Sequence, residues 1–176
     1  MSKQTRTAGL EPDERSSEGS AFNVIGAWLD ANDWGYQDYP DKGYYSITCT
    51  GNCGSWRVIA DAQVFDDKER VVIYSVYPIR VPENKRSIVS ELVSRINYGM
   101  SIGNFEMDFN DGEIRMKTSI ALLGTALSDA MFDRLFSSNI GSANRYLSAI
   151  YGVAFGDISP KLAVEVAERP LDQTLQ

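Results

Sequence analysis

From Ile96 to Ile120 the chain reads INYGMSIGNFEMDFNDGEIRMKTSI, which gathers glycines, the acids Glu106, Asp108, Asp111 and Glu113, and the bases Arg115 and Lys117. Residues of these types could cradle a phosphate, ligate calcium or do carboxylate chemistry. The phosphate reading fails because the glycines do not form GxGxxG and precede a strand, so they present no helix N-terminus to an anion. For calcium, an EF-hand places glycine sixth in its loop. Counting back from Gly112 makes Met107 the first ligand and leaves Thr118 where a bidentate glutamate belongs.

A β-hairpin is the reading that makes a demand on register. With Asp111-Gly112 as a two-residue type I′ turn, Phe109 faces Ile114, Met107 faces Met116 and Phe105 faces Thr118. Asp108 then faces Arg115, and Glu106 faces Lys117. Moving the turn back by one residue would oppose Asp108 to Glu113, two like charges. The acids and bases are therefore expected on a solvated face, since exposed ion pairs need no function.

Elsewhere the chain offers little for catalysis. It has no histidine, which removes every Ser-His, Cys-His and His general-base scheme. Its two cysteines, Cys49 and Cys53 in CTGNC, lack further ligands for a metal and are expected to be plain structural thiols. No catalytic, cofactor-binding or metal-ligating residue is assigned, and no cofactor is expected. The net charge of −7 at pH 7 opposes nucleic acid, which needs a basic face to displace counterions. No apolar run approaches the roughly 20 residues that cross a bilayer, and the N-terminus lacks the apolar core of a signal peptide, so no membrane contact and a cytoplasmic location are expected.

The elements that must carry these residues show in the periodicity. Residues 1–19 are polar and aperiodic, and are expected to form a flexible tail. A single domain is expected over 20–170. Phe22, Ile25, Trp28 and Leu29 repeat at helical spacing after the cap Ser20. Alternation then predicts strands over 44–49, 55–65 and 70–77, joined by four-residue loops. Pro82 is expected to open a helix through Ile96 in which Glu91 and Arg95 form an i,i+4 pair. The hairpin follows, then a long helix begun by Ser128 with a kink at Gly141-Ser142, and a short one capped by Ser159 with Pro160 at its first position.

Register arguments pair Cys49 with Trp56, Ile47 with Val58 and Tyr45 with Ala60, then Val64 with Val71 and Ala62 with Ile73. This builds one continuous apolar face. The opposite face also carries apolar residues, with Ile59 placed across from Val76 and with Val72 and Tyr74 beside them. These four form the candidate interaction patch.

The order α-β-β-β-α-β-β-α, with Asn97 at the end of the second helix, GNFEMDFNDGEIRMKTSI and RYLSAIYGVAFGDISPKLAVE, resembles the YbjN-like family, whose fold is that of the type III secretion chaperones. The resemblance implies an α+β, two-layer α/β sandwich with a five-stranded antiparallel sheet in order 1-2-3-5-4, often dimeric, here with an extra C-terminal helix. The leading functional expectation is a non-enzymatic, chaperone-like protein–protein interaction module, a homodimer that binds a protein partner or client. The alternative is a regulatory or scaffold protein of the sensory-transduction type with one folded partner. A small enzyme ranks third.

Overall fold

In the computed structural model, which describes residues 20–65 and 68–169, every element begins where local chemistry allows it. The hydroxyl of Ser20 accepts from Asn23 N and opens α1 (Ala21–Ala31). A short strand, β1 (Tyr36–Tyr39), leads through a 3₁₀ turn to β2 (Tyr44–Gly51), β3 (Gly54–Phe65) and β4 (Lys68–Arg80). Helix α2 (Arg86–Gly99), the hairpin β5 (Asn104–Met107) and β6 (Glu113–Leu122), α3 (Asp129–Phe155) and α4 (Pro160–Glu168) complete the order. Ser128 and Ser159 cap α3 and α4 as expected. The proposed polar tail and the end of the proposed domain at 170 lie outside the described residues.

All pairings are antiparallel, and the six strands run in the order β1-β2-β3-β4-β6-β5. This replaces the expected five strands in order 1-2-3-5-4. The added strand, YQDY, pairs with β2 from Tyr36↔Ile47 to Tyr39↔Tyr44. It is short, followed by Pro40, and half-buried only at its two ends, so it carries no alternation to read. Alternate residues of the other strands are buried, among them Ile47, Val58, Ile73, Phe105 and Met116. Helices α1, α2 and α3 pack against strands, whereas α4 packs on α2 and α3.

Three expectations need correction. Pro82 stands before a 3₁₀ turn, Glu83–Lys85, and α2 starts only at Arg86. In β3–β4 the strands continue to Phe65↔Lys68, so Ala62 faces Val71, and Val64 faces Glu69 and is 68% exposed. Only Asp66 and Asp67 separate the strands, not the expected four residues.

The hairpin is shifted by two as well: Phe105 faces Met116, Glu106 faces Arg115 and Met107 faces Ile114. The turn is a four-residue loop closed by Asp108 N donating to Glu113 O and Gly112 N donating to Asp108 O, both at 2.8 Å. Asp108 and Glu113 are thus the pair that charge alone disfavoured. Asp108 bends its carboxylate inward to accept from Asn110 N at 2.7 Å and from Asn110 Nδ2 at 2.8 Å, and Asp111 accepts from Glu113 N at 2.8 Å. Glu113 meanwhile reaches Arg80 at 3.0 Å. Local side-chain-to-backbone bonds thus outweigh the tighter turn. Because both shifts are by two, no side chain changes face.

Helix α3 runs unbroken through Gly141 and Ser142 and is locked to the sheet by Asn139, which is wholly buried. Its Oδ1 accepts from Ser75 Oγ at 2.6 Å, and its Nδ2 donates to Ile73 O at 2.9 Å, Met116 O at 3.4 Å and Thr118 Oγ1 at 3.3 Å. Trp56 Nε1 donates to Ser75 Oγ at 3.0 Å, and Thr118 Oγ1 to Leu135 O at 3.1 Å. Asn97 of α2 works the same way at the sheet edge. Its amide accepts from Phe105 N at 2.8 Å and donates to Phe105 O at 3.0 Å, so it pairs with β5 as a further strand would.

Two predictions follow from these contacts. Asn139→Ala strands buried donors and acceptors on two layers at once, and should lower unfolding free energy by about 3 kcal/mol in a denaturant titration; a loss within the surface range would contradict the lock. Gly112 has φ +76°, and a Cβ there would collide with the backbone carbonyl of Val81, so Gly112→Val should cost at least about 2 kcal/mol. An unchanged unfolding midpoint would contradict that.

Candidate interaction surface

Odd-numbered residues of β3 and even-numbered residues of β4 point away from the helices, as the burial of their neighbours Val58, Ala60, Val71 and Ile73 requires. Ile59, Val72, Tyr74 and Val76 therefore share the outer face, but in a corrected register: Ile59 faces Tyr74, and Val76 faces Arg57. The two-residue shift keeps them together. It does not leave them bare: Val72 is only 8% exposed, and the other three are half-buried. The Arg115 guanidinium lies 4.4 Å from the centre of the Tyr74 ring, a cation–π contact that shelters the ring.

Charged side chains frame the cluster. Glu106 of β5 binds Arg115 at 3.0 Å and also Lys117 of β6. Burial pushes the Glu106 carboxyl upward, but the hydrogen bonds from Lys117 and Arg115 outweigh it, and the net shift is below the ordinary value. On the other side Gln63 donates to Asp61 and accepts from Arg70. Asp61 Oδ1 is buried with no hydrogen-bond partner. Desolvation dominates there, and the Asp61 carboxyl is raised despite Gln63 and Arg70.

The two acids therefore couple to stability with opposite signs. Glu106, depressed when folded, stabilises above its unfolded pKa and loses that contribution as pH falls. Asp61, raised when folded, opposes folding while charged, and the penalty fades as pH falls through its raised value. At about pH 7 Glu106→Gln should melt below the native protein and Asp61→Asn at or above it. Both differences should shrink toward about pH 4 in thermal scans; differences of the same sign at neutral pH would contradict the assignment.

Burial pushes the Cys49 thiol up to about 11, so it stays protonated at neutral pH, and Cys53 is free and exposed in the β2–β3 turn. Among the described residues no group of three His, Cys, Asp or Glu side chains gathers to hold a metal ion. None of the described helices is long and apolar enough to cross a membrane.

A second apolar surface escaped the sequence reading. In α4, Ala163 is buried, yet Leu162 and Val166 are 45% and 54% exposed, as is Ile158 before them at 42%. Ile158 precedes the helix and lies against Gly152 of α3, whereas Leu162 and Val166 stand at i and i+4 and so share one outward side of α4. Beside it a groove of about 510 Å3 runs between α2 and α4, lined by Tyr98 and Val164 and by the ion pairs Glu91–Arg95 and Lys161–Glu165. Tyr98 is 96% exposed. The signal in the sequence was KLAVEVAE itself: a helix apolar on two sides buries only one in a monomer.

No curated protein matches the chain. Among solved structures it is similar to the crystal structure of YbjN from E. coli, described there as "a putative transcription regulator", at 11% identity, covering 70% of this chain and 86% of that one with a TM-score of 0.48. Residues 22–151, which run from α1 almost to the end of α3, match the family model YbjN, described as "Putative bacterial sensory transduction regulator". The chain belongs to the YbjN family.

Proposed function

We propose that this protein is a non-enzymatic regulator that acts by binding another protein on the open face of its sheet, and that it self-associates through α4. The observation that carries the reading is the outer face: four apolar side chains, Ile59, Val72, Tyr74 and Val76, sit on adjacent strands, and α4, the extra helix, packs on α2 and α3 instead of over them. The family description supports a regulatory role.

Magnitudes separate the two surfaces. With Val72 nearly buried and Ile59, Tyr74 and Val76 half-buried, the sheet cluster leaves only a modest apolar area, worth a few kcal/mol at about 25 cal/mol per Å2. Association itself costs about 4 kcal/mol or more. The patch therefore suits a reversible partner that also engages the flanking charges of Arg57, Glu106, Arg115 and Lys117. A lasting homodimer needs more apolar area. The exposed Leu162 and Val166 of α4, with Tyr98 across the groove, are the apolar surface we assign to it, and an antiparallel partner helix would bring Lys161 of one copy near Glu165 of the other. A chaperone-like variant of the reading keeps the same surface and replaces the single folded partner with several unfolded clients.

Two double variants test this. Ile59→Asp with Val76→Asp should leave circular dichroism and mass by light scattering unchanged while abolishing recovery of the partner that the native protein captures from its own cytosol. Leu162→Glu with Val166→Glu should lower the mass to that of a monomer. Unfolding of the first variant would make the patch part of the core. Full partner capture by it would leave the face without the proposed role. A panel of unfolded peptides then separates the chaperone from the regulator, which should bind none of them.

A further inference from the structure

A concavity of about 480 Å3 lies in the helical layer, between α3 and the loop that joins α2 to β5. Arg134, Ser137, Ser138, Ser142 and Arg145 line its α3 wall. They recur at steps of three and four and so share one side of the helix. Ser101 lines the opposite bank together with Met100 and Ile102. No aspartate or glutamate lines the space, in a chain where acids outnumber bases 24 to 17. Arg80, Arg95 and Arg115 are all taken up by carboxylates, whereas Arg134 and Arg145 form no ion pair with a described residue. At the Arg145 end, Glu168 accepts a hydrogen bond from Tyr146 Oη at 2.7 Å, which engages that carboxylate.

The middle of the wall holds Gly141, in the interior of a 27-residue helix. Glycine there is unfavourable by about 1 kcal/mol relative to alanine. A Cβ would meet nothing within 4 Å, so packing does not require it. Gly141 lines the groove between the two arginines, where a larger side chain would project into the space.

We propose that this groove binds a small bisphosphate ester, with one phosphate taken by Arg134 and the other by Arg145. Eleven residues of helix separate the arginines by roughly 16 Å along the axis, too far for both to share one phosphate without swinging inward, and suited to two phosphates set apart on an organic core. The serine hydroxyls between them both donate and accept, which fits the hydroxyls of such a core. Met100 and Ile102 offer it an apolar side. The volume falls within the usual range for small-molecule sites. This inference rests on the groove alone and stands or falls independently of the sheet face.

The test is a backbone-amide NMR titration of the full chain with adenosine 3′,5′-bisphosphate and with fructose 1,6-bisphosphate, with inorganic phosphate as comparator. At least one bisphosphate should shift the amides of Ser101, Ser137, Ser138 and Ser142 saturably and bind more tightly than inorganic phosphate. Arg134→Gln and Arg145→Gln should each weaken it about tenfold or more, a loss typical of one charge-assisted contact. Gly141→Leu should weaken it without changing charge, and Arg57→Gln, on the outer sheet face, should not. Saturable binding of neither bisphosphate overturns the proposal. So does an affinity for inorganic phosphate equal to that for the bisphosphates, or equal weakening by Arg57→Gln.

Discussion

The buried amide of Asn139 is the constraint on which the two-layer architecture turns. A helix lying across a sheet is held by apolar area, which is indifferent to sliding, whereas a buried amide has four hydrogen-bonding sites and tolerates few positions. Asn139 meets β4 at Ile73 O and Ser75, and β6 at Met116 O and Thr118. These two strands are neighbours, and their pairing is what joins the β5–β6 hairpin to the rest of the sheet. Tyr77 adds a bond to Ala143 O at 2.6 Å one turn along α3. With α3 seated there, α1 packs its Trp28 edge-on to Phe132 at 5.1 Å, and α2 and α4 fill the remaining helical layer. The helices are gathered on one side of the sheet, and the side opposite is left to polar residues and one apolar cluster.

What could be read from the sequence follows from how local each signal is. The caps Ser20, Ser128 and Ser159 act within three residues of themselves, and the buried alternation of β2, β3 and β4 needs no knowledge of the rest of the chain. The membership of the outer cluster was legible for the same reason. Its pairing was not. Both hairpins lie two residues from the expected register: Asp108 and Asp111 fold onto their own loop in one, and β3 and β4 stay paired as far as Phe65↔Lys68 in the other. β1 could not be seen, since its support comes from residues distant in pattern, its pairing with β2 and the Tyr36 hydroxyl bond to Asp30 of α1. The groove between Arg134 and Arg145 joins a helix to a loop some thirty residues earlier, and only the packing of α2 against α3 makes them neighbours.

The surfaces divide the chemistry of the molecule cleanly. The sheet face mixes sheltered apolar side chains with ion pairs, the composition of a reversible protein contact. On α4, Leu162 and Val166 are exposed on one side of the helix. The groove on α3 is cationic in an acidic chain. A regulator that senses a small anion and answers through a protein partner would need the first and third of these on opposite layers of one fold, with a rigid connection between them. α3 lies between the two, with the groove residues on one side and Asn139 bonded to β4 and β6 on another.

The measurement that bears most directly on the open sheet face is methyl NMR of the full chain with a soluble paramagnetic agent. The methyls of Ile59 and Val76 should be broadened in the free protein, those of Ile47 and Val58 should not, and addition of the captured partner should protect the first pair. If Ile59 and Val76 are already protected in the dilute free chain, the face is covered by the protein's own residues and the binding surface lies elsewhere.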